Sequence, residues 1–260
     1  VMDNKINLMF GDCLNKMKEI ETKSINLILT DPPYGTTQCK WDSIIPFDAL
    51  WAEYTRVIKK DGAIVLFGQE PFSSYLRMSN IKWYKYDWIW EKSNPSNIAN
   101  ANYQPMRYHE LISVFYGKKP TFNKQLIKRS TSGQKKIKAA KKNVKSGKKQ
   151  RVYNTSDLTS LKKVRVNPLG SSTEYKNPSS IIRIPSLRAG SSKECVDHPT
   201  QKPVRLLNIL IKTYTNKGDT VLDNCMGSGS TAISCIQTGR SFIGMEQLPK
   251  YYDLTIKRIQ

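Results

Sequence analysis

Four consecutive residues, Asp31-Pro32-Pro33-Tyr34, combine a carboxylate, a rigid backbone and an aromatic ring directly after the apolar run at 25–29. The carboxylate can accept hydrogen bonds from a ligand, and the tyrosine ring can stack on a planar group. The two prolines fix the backbone and carry no N–H, which keeps carbonyl oxygens directed at a ligand. The structural alternative is an Asx-type turn that leaves a strand.

A second candidate site is the glycine-containing stretch 220–231, which predicts a strand, a tight turn at Gly227 and Gly229, and the start of a helix. Such a loop lets the backbone approach a ligand at a helix N-terminus. Glu246 follows Gly229 by seventeen residues, at the end of the next predicted strand. An acid there can bind ribose hydroxyls in nucleotide-binding folds. Taken alone, the glycines are explained equally well by a helix-capping turn.

The spacing of this loop narrows the class of ligand. No lysine follows the second glycine, so the loop is not the phosphate-binding GxxxxGK[ST] pattern, and it is not the GxGxxG of dinucleotide sites. A cofactor with ribose and adenine but no phosphate fits better, and S-adenosylmethionine is such a cofactor.

Strands and helices alternate along the chain, which is typical of an α/β fold with a doubly wound, mostly parallel sheet. A turn is predicted at Lys60-Asp61-Gly62. Ligands bind at the carboxyl ends of parallel strands, so residues that follow strands are expected to form the site. The apolar periodicity predicts strands at 6–10, 25–29, 63–67, 86–90, 111–116, 220–222 and 241–244, and helices at 14–20, 47–59, 71–78, 203–214, 229–237 and 249–259.

The chain is strongly basic, with 42 Lys and Arg against 21 Asp and Glu and a formal net charge of +21. Residues 124–165 hold fifteen Lys and Arg and a single acid, Asp157, so this segment supplies +14 of that charge. The excess indicates a polyanionic partner, nucleic acid before membrane. The alternative is that the charge only favours solubility.

The five cysteines form no CxxC pair and no Cys/His cluster, which predicts neither a zinc site nor a disulfide framework. No apolar run reaches the roughly 20 residues of a membrane span, and the first residues do not resemble a signal peptide. We therefore expect reduced thiols, no membrane association and a cytoplasmic protein. For the two histidines, His109 and His198, packing is the expected role.

Together, the two loops resemble those of the amino-group DNA methyltransferases, in particular the β-class N6-adenine enzymes. The resemblance covers about 1–120 and 198–260, and the order of features agrees: Gly11-Asp12, then Asp31 to Tyr34, the basic insertion, His198-Pro-Thr-Gln-Lys-Pro203, the glycine loop and Glu246. It implies a Rossmann-like, S-adenosylmethionine-dependent methyltransferase fold. The implied reaction is site-specific methylation of a flipped-out adenine at N6 in double-stranded DNA.

The resemblance gives Asp31, Pro32, Pro33 and Tyr34 a catalytic role. Adenine N6 is a poor nucleophile because its lone pair is delocalised into the ring, so the site must favour a tetrahedral, cationic nitrogen. The Asp31 carboxylate and the Pro32 carbonyl are implied to accept the two N6 hydrogens. Tyr34 is implied to stack on the extruded base.

The resemblance also implies cofactor contacts. Glu246 would bind the ribose hydroxyls, Asp12 the adenine amino group, and the backbone from Asp223 to Gly229 the methionine part, with Thr200 and Lys202 near the methionine carboxylate. No metal is expected, because the sulfonium is already an activated leaving group. The candidate cofactor-binding set is Asp12, Asp31, Thr200, Lys202, Asp223, Asn224, Cys225, Gly227, Ser228, Gly229, Ser230, Thr231 and Glu246.

The implied organisation is a catalytic half at 1–120, an inserted target-recognition region at 121–197 and a cofactor-binding half at 198–260. Lysines of the insertion would contact phosphates, which gives salt-dependent affinity without choosing a sequence. The alternative is a solvated loop, or one that orders on DNA. A homodimer and a cognate restriction endonuclease are further implied partners. The candidate DNA-binding residues are Lys135, Lys136, Lys138, Lys141, Lys142, Lys145, Lys148, Lys149 and Arg151.

Other functions remain open from the sequence. Methylation of cytosine N4 uses the same exocyclic amine chemistry, although Asp rather than Ser at position 31 favours adenine. RNA or protein-glutamine methylation would use a similar loop, but those relatives tend to carry Asn at its first position. A catalytically silent DNA-binding module is a different class, and loss of Asp31 or of the glycine loop would indicate it. Both are present.

Overall fold

The structure is a computed structural model that describes residues 4–36, 42–146, 152–154, 163–165, 171–187 and 194–260. Its contacts divide the chain into two compact units, which we call the main unit (Val1–Asn123 and Ser180–Gln260) and the basic unit (Lys124–Ser179). The basic unit is shorter than the predicted insertion at 121–197, because residues 181–183 pair with the sheet of the main unit.

Each predicted strand and helix is present, with shifted ends except at 6–10 and 249–259, and the described residues add one helix and five strands between 127 and 183 that the sequence did not predict. The strands are β1 Ile6–Phe10, β2 Ile25–Thr30, β3 Ile58–Gly68, β4 Tyr84–Glu91, β5 His109–Phe115, β6 Ile127–Lys128, β7 Val152–Asn154, β8 Lys163–Arg165, β9 Tyr175–Lys176, β10 Ile181–Arg183, β11 Thr220–Asp223 and β12 Ser241–Glu246. The helices are α1 Cys13–Met17, α2 Phe47–Val57, α3 Phe72–Ser79, α4 Thr131–Lys145, α5 Val204–Tyr214, α6 Ser230–Thr238 and α7 Pro249–Ile259.

Within the described residues, the main unit forms an eight-stranded sheet in the order β1-β12-β11-β2-β3-β5-β4-β10. The neighbouring strands β1, β12, β11, β2 and β3 pair in parallel, as do β4 and β10. Strand β5 is antiparallel to both of its neighbours, β3 and β4. The prediction of a mostly parallel, doubly wound sheet is confirmed. In the basic unit, β6 pairs with β9 and β7 with β8, each pair antiparallel.

The sheet of the main unit is covered on both faces. Leu27 and Leu29 of β2 face one apolar cluster, which includes Leu206 and Leu210 of α5, while Ile28 faces a second cluster with residues of α2. A strand buried on both faces reads as a continuous apolar run, which is why periodicity located β2 so well.

The turn predicted at Lys60-Asp61-Gly62 is wrong, because these residues lie inside β3. Strand β2 pairs Ile25 with Ile58 and then Leu27 with Ala63, so residues 59–62 bulge opposite Asn26. Gly62 permits this bulge, since a Cβ there would lie 2.9 Å from the carbonyl oxygen of Asn26. Lys60, Asp61 and Gly62 are common in turns, but here they form a β-bulge within a continuous strand.

Candidate active site

A cavity of about 680 Å³ lies in the main unit at the carboxyl ends of its parallel strands. Its lining includes residues that directly follow β1, β2 and β11, together with the last residue of β12. Parallel strands present their carboxyl ends at one edge of a sheet, so segments distant in sequence meet there. The volume is typical of a small-molecule site.

The structure brings nearly all of the predicted catalytic and cofactor-binding residues into this lining. Gly229 is the exception: it has a left-handed φ of 75°, and a Cβ there would lie 2.6 Å from Cγ2 of Thr255. The lining contains Asp12, Asp31, Pro32, Pro33, Tyr34, Thr200, Lys202, Asp223, Asn224, Cys225, Gly227, Ser228, Ser230, Thr231 and Glu246. Their placement is a finding, and their individual roles stay predictions.

The loop that carries Asp31 to Tyr34 is held by Asp42, a residue that the sequence analysis missed. One carboxylate oxygen of Asp42 accepts the backbone N–H groups of Tyr34 at 2.7 Å and Gly35 at 2.9 Å, and the other accepts that of Thr36 at 2.9 Å. Charge-assisted bonds to three successive amides fix the path of the chain after the two prolines. No sequence motif marks Asp42, since its role depends on the loop folding back.

The Asp31 carboxylate has a polar partner at each oxygen. The hydroxyl of Tyr34 donates to Oδ1, and the Nζ of Lys202 donates to Oδ2. The ring of Tyr34 packs against Phe72, with ring centroids 5.0 Å apart. The acid is therefore oriented by a residue three positions along its own loop and by a lysine from the segment before α5.

Lys202 belongs to a chain of alternating charges that extends to Glu110 and Lys92. The Nζ of Lys202 lies 3.4 Å from Oε2 of Glu110, and the Nζ of Lys92 lies 2.9 Å from Oε1. Glu110 and Lys92 also line the cavity, and sequence reasoning missed both. The only signal was a single acid at the start of β5 and a single lysine after β4, and neither had an identifiable partner in the sequence.

Burial and neighbouring charges set the ionisation of this chain. Burial raises the pKa of Asp31, and Glu110 raises it further, while the Lys202 cation opposes both. Burial also raises the pKa of Glu110, but Lys202 and Lys92 outweigh it and hold that pKa below its usual value. For Lys202, burial lowers the pKa, and the carboxylates of Asp31 and Glu110 outweigh it and raise the pKa overall. A buried array of this kind is stable only because every charge faces an opposite one.

Asp223, the first residue of the glycine loop, is buried and already hydrogen-bonded. It accepts the hydroxyls of Thr30 at 2.7 Å and Thr231 at 2.6 Å, and the backbone N–H of Cys225 at 3.1 Å. Its carboxylate thus links the end of β2 to the start of α6. Burial raises the pKa of Asp223 to about 6, against the opposing effect of the two hydroxyl donors.

Glu246 is oriented by the backbone of two other segments. Its Oε2 accepts the N–H of Gly227 at 3.0 Å, and its Oε1 accepts the N–H of Leu248 at 2.9 Å. Each carboxylate oxygen can accept more than one hydrogen bond, so the side chain keeps acceptor capacity towards the cavity. Burial raises its pKa, and the backbone donors oppose that effect.

His198 packs on the glycine loop, which agrees with the packing role expected from the sequence. Its ring centroid lies 4.4 Å from that of Tyr251, and its Nδ1 accepts the N–H of Thr200 at 3.3 Å. Burial, reinforced by the cations Lys202, Arg258 and Lys250, lowers the pKa of His198 to about 4. The imidazole is therefore neutral at neutral pH and serves as a wall of the cavity beside Gly227.

The predicted DNA-binding lysines lie on or beyond α4 of the basic unit. Lys135, Lys136, Lys138, Lys142 and Lys145 are exposed, and Lys141 is half-buried with its Nζ 3.5 Å from the hydroxyl of Thr173. The helix begins after Ser130, whose hydroxyl accepts the N–H of Gly133 at 3.2 Å. Lys148, Lys149 and Arg151 lie outside the described residues.

The described ranges contain neither a metal-binding cluster nor a membrane-spanning helix. Within them, no group of three or more His, Cys, Asp and Glu side chains is arranged to hold a metal ion. No helix in the same part of the chain is long and apolar enough to cross a membrane. Cys13, Cys195, Cys225 and Cys235 are free thiols.

Comparison with known proteins identifies the family. A family model described as DNA methylase, of the N6/N4 methyltransferase type, matches residues 25–257. The chain belongs to this DNA methylase family. Among curated relatives, the DNA adenine methyltransferase YhdJ of Escherichia coli K12 is 28% identical over 97% of this chain and 82% of its own length. The type II methyltransferase M1.MboII of Moraxella bovis is 29% identical over 95% of this chain and 93% of its own.

Solved structures share the fold of this DNA methylase. The PvuII cytosine-N4-specific DNA methyltransferase matches with a TM-score of 0.66 at 16% identity, covering 99% of this chain and 88% of its own. The M1.HpyAVI complex with S-adenosylmethionine matches with a TM-score of 0.58 at 21% identity, covering 97% of this chain and 99% of its own. The Rossmann-like methyltransferase fold expected from the sequence is confirmed.

The contact between Gly227 and His198 predicts the effect of a single methyl group. Gly227 has a φ of 50°, and a Cβ there would lie 2.8 Å from Nε2 of His198. Gly227→Ala should therefore displace the loop and weaken binding of S-adenosylmethionine, the cofactor that the sequence predicts, by about tenfold or more in calorimetric titration.

Gly239→Ala is the matched control. Its φ of 73° is similar, but the nearest atoms to a Cβ lie 3.8 Å away. It should cost about 1 kcal/mol of stability and leave the affinity unchanged. Equal losses of affinity in the two variants would contradict the contact.

The raised pKa of Asp223 predicts a pH-dependent effect of Asp223→Asn. A carboxyl whose pKa rises from 3.8 to about 6 on folding binds more protons in the folded state, so its contribution to stability falls as pH rises through that window. Relative to wild type, Asp223→Asn should gain stability between those pH values, by up to about 3 kcal/mol, and level off above them. Chemical denaturation from pH 4 to 8 measures this, with the exposed Asp253→Asn as control, and a pH-independent difference would refute it.

Proposed function

We propose that this DNA methylase transfers a methyl group from S-adenosylmethionine to N6 of a flipped-out adenine in double-stranded DNA. The observation that carries the proposal is that Asp31 and the glycine loop, 192 residues apart at Asp223, line one cavity. The carboxylate that would hold the amino group and the loop that would hold the cofactor thus lie within reach of one another.

The residues of the cavity fit S-adenosylmethionine. Residues 223–231 contain no lysine or arginine, which suits a ligand without phosphate. The carboxylates of Asp12 and Glu246 line the cavity and can accept hydrogen bonds from the adenine amino group and the ribose hydroxyls. The solved M1.HpyAVI complex, which contains this cofactor, supports the assignment. When bound, the cofactor supplies a methyl group on a sulfonium, which needs no metal for activation.

Asp31 is proposed to hold the amino group during transfer. Its Oδ1 already accepts the hydroxyl of Tyr34, so an incoming N6–H shares that oxygen with the hydroxyl or exchanges with it. Lys202 keeps Oδ2 in place during the exchange. A preorganised carboxylate in a site of low dielectric stabilises the positive charge that develops on the nitrogen.

The same carboxylate is the proposed proton acceptor. Methylated N6 must lose a proton, and burial raises the pKa of Asp31, which makes it a better base than an exposed aspartate. Glu110 supports this role, because its carboxylate disfavours a second negative charge nearby and so raises the pKa of Asp31, whereas the cation of Lys202 lowers that pKa.

Transfer to cytosine N4 is the second candidate, and the TM-score of 0.66 with the PvuII cytosine-N4-specific enzyme favours it. Adenine is preferred because Asp31 stands at the first position of the loop, and because YhdJ is a DNA adenine methyltransferase. Both candidates share the exocyclic amine chemistry, so the choice depends on the shape of the base pocket.

The exposed lysines of α4 support duplex DNA as the substrate. A helix with five exposed lysines can neutralise several phosphates and give an affinity that falls steeply with salt. A homodimer and a partner endonuclease stay predictions from the family resemblance.

The first test of the proposal is product analysis. Purified protein is incubated with S-adenosylmethionine and unmethylated genomic DNA, and the nucleosides are read by mass spectrometry. N6-methyladenine is the expected product. N4-methylcytosine would keep the mechanism and change the base, and no product despite measured cofactor binding would indicate an RNA or protein substrate or a binding-only module.

Asp31→Ala should reduce methylation by about a thousandfold or more, because it removes the acceptor that stabilises the transition state. Cofactor affinity, measured by calorimetry, should largely persist. Asp61→Ala, an exposed acid within β3, is the control and should behave as wild type. Full activity of Asp31→Ala would remove the carboxylate from the mechanism.

Tyr34 is expected to act through its ring and not its hydroxyl. Tyr34→Phe keeps the ring beside Phe72 and removes the competitor for Oδ1, so its turnover should stay within about threefold of wild type. Tyr34→Ala removes the stacking surface, which is worth about 1–3 kcal/mol per base, and should weaken turnover by about tenfold or more. If Phe and Ala at this position are equally impaired, the hydroxyl is the essential group.

A further inference from the structure

The connection between β4 and β5, residues 92–108, forms a hairpin loop beside the cavity, which we call the β4–β5 loop. Its first residues, Lys92, Asn94, Pro95 and Ser96, line the cavity. At the other end of the loop, the guanidinium of Arg107 donates to the side-chain oxygen of Gln69 at 2.5 Å. Gln69 also lines the cavity. Both ends of the loop are thus held beside the cavity that is proposed to receive the base.

Hydrogen bonds across the stem keep the loop in one shape. The N–H of Lys92 donates to the carbonyl of Tyr108 at 2.7 Å, and that of Ser96 to the carbonyl of Arg107 at 3.1 Å. The side chain of Asn97 accepts the N–H of Arg107 at 2.5 Å and donates to the carbonyl of Pro105 at 3.2 Å. These hydrogen bonds close the stem of the loop, and residues 98–106 form its tip.

The tip presents apolar side chains to solvent. Tyr103 is 89% exposed, Ile98 67% and Met106 43%. Tyr103 is held by a turn in which its own N–H donates to the carbonyl of Asn100 at 2.9 Å. An ordered turn that exposes a nearly bare aromatic ring loses hydrophobic free energy unless a partner covers it.

The amino-acid composition of the loop favours DNA as that partner. Residues 92–109 contain no Asp or Glu, and they contain Lys92, Arg107, four asparagines and a glutamine. A second apolar patch, Tyr75, Met78 and Ile81, is similarly exposed near α3. There, Arg77 is neutralised by Glu70 and by Asp87, so the local carboxylates oppose a phosphate backbone. Of these two patches, the first combines an exposed ring, no negative charge and a position on a loop whose first residues line the cavity.

We propose that the tip of the β4–β5 loop is a wedge that enters duplex DNA at the target base pair, with the ring of Tyr103 filling the space that the flipped base leaves. The inference rests on the proposed function. Proteins that unstack DNA insert apolar side chains between bases, and this offsets the cost of opening the stack. The asparagines and Arg107 suit contacts with base edges and phosphates around the opening.

The test uses a synthetic duplex that contains a site first mapped by sequencing the methylated genomic DNA. Tyr103→Ala should methylate this duplex about 10- to 100-fold more slowly than wild type, because it loses the stacking contact. The same variant is then assayed on a duplex with a pyrene nucleotide opposite the target. Pyrene fills the vacated space from the DNA side, so the rate should return to within about threefold of wild type on that duplex.

Two control variants sharpen the test. Tyr103→Phe keeps the ring and should behave as wild type on both duplexes. Tyr75→Ala removes a tyrosine that is 63% exposed on α3 and should leave both rates unchanged. Cofactor affinity measured by calorimetry should be the same in all variants, which shows that each is folded.

Several outcomes overturn the wedge. Equal rates for Tyr103→Ala and wild type, or a loss that pyrene does not restore, would exclude the proposed insertion. A change of oligomeric state in Tyr103→Ala, seen by sedimentation, would assign the tip to contact with a second copy of the chain. An inactive wild type on every duplex would instead refute the proposed function, so the two failures are distinguishable.

Discussion

The parallel pairing of β2 with β11 is the constraint on which the rest of the site depends. The register places Leu27 opposite Val221 and Ile28 opposite Leu222, so the two strands end within one residue of each other. The buried Asp223 carboxylate then bonds the hydroxyl of Thr30 across the pair and that of Thr231 at the start of α6. Asp31 and the glycine loop follow directly, so their relative position is fixed by the sheet and not by flexible chain.

Beside this pair of strands, the cavity is lined by buried charged side chains that pair with one another. Four ionisable side chains alternate in sign from Asp31 through Lys202 and Glu110 to Lys92, and each lies within ion-pair distance of a neighbour of opposite charge. Removing one member would leave a buried charge without a partner, which costs more than the net gain of the pair. Such an array orients Asp31 before any ligand enters. Preorganisation of this kind lowers the reorganisation needed during the reaction.

The cavity and most of the net positive charge lie in different units of the chain. The cavity belongs to the main unit, while the segment 124–165, which carries +14, lies within the basic unit. Clustered lysines provide affinity for a phosphate backbone that is insensitive to sequence. The exposed tip of the β4–β5 loop belongs to the main unit and offers a different kind of contact, apolar and amide, on a loop whose first residues line the cavity. The proposed non-specific attraction to DNA and the proposed local distortion of DNA thus depend on different parts of this protein.

The sequence by itself located the strands and helices of the main unit apart from β10, because strands such as β2 and β11 are buried and read as apolar runs, but it predicted none of the elements of the basic unit. It also determined the two loops, because Asp31-Pro32-Pro33-Tyr34 and the Gly227 turn are local patterns whose geometry needs only neighbouring residues. Only the tertiary structure decided that Asp42 holds the first loop, that Glu110 and Lys92 extend the charges behind Lys202, and that residues 60–62 form a bulge. The reason is physical: a charged side chain or a turn residue shows no local signal of the partner that folding brings to it, whereas an apolar period or a glycine turn carries its signal in adjacent positions.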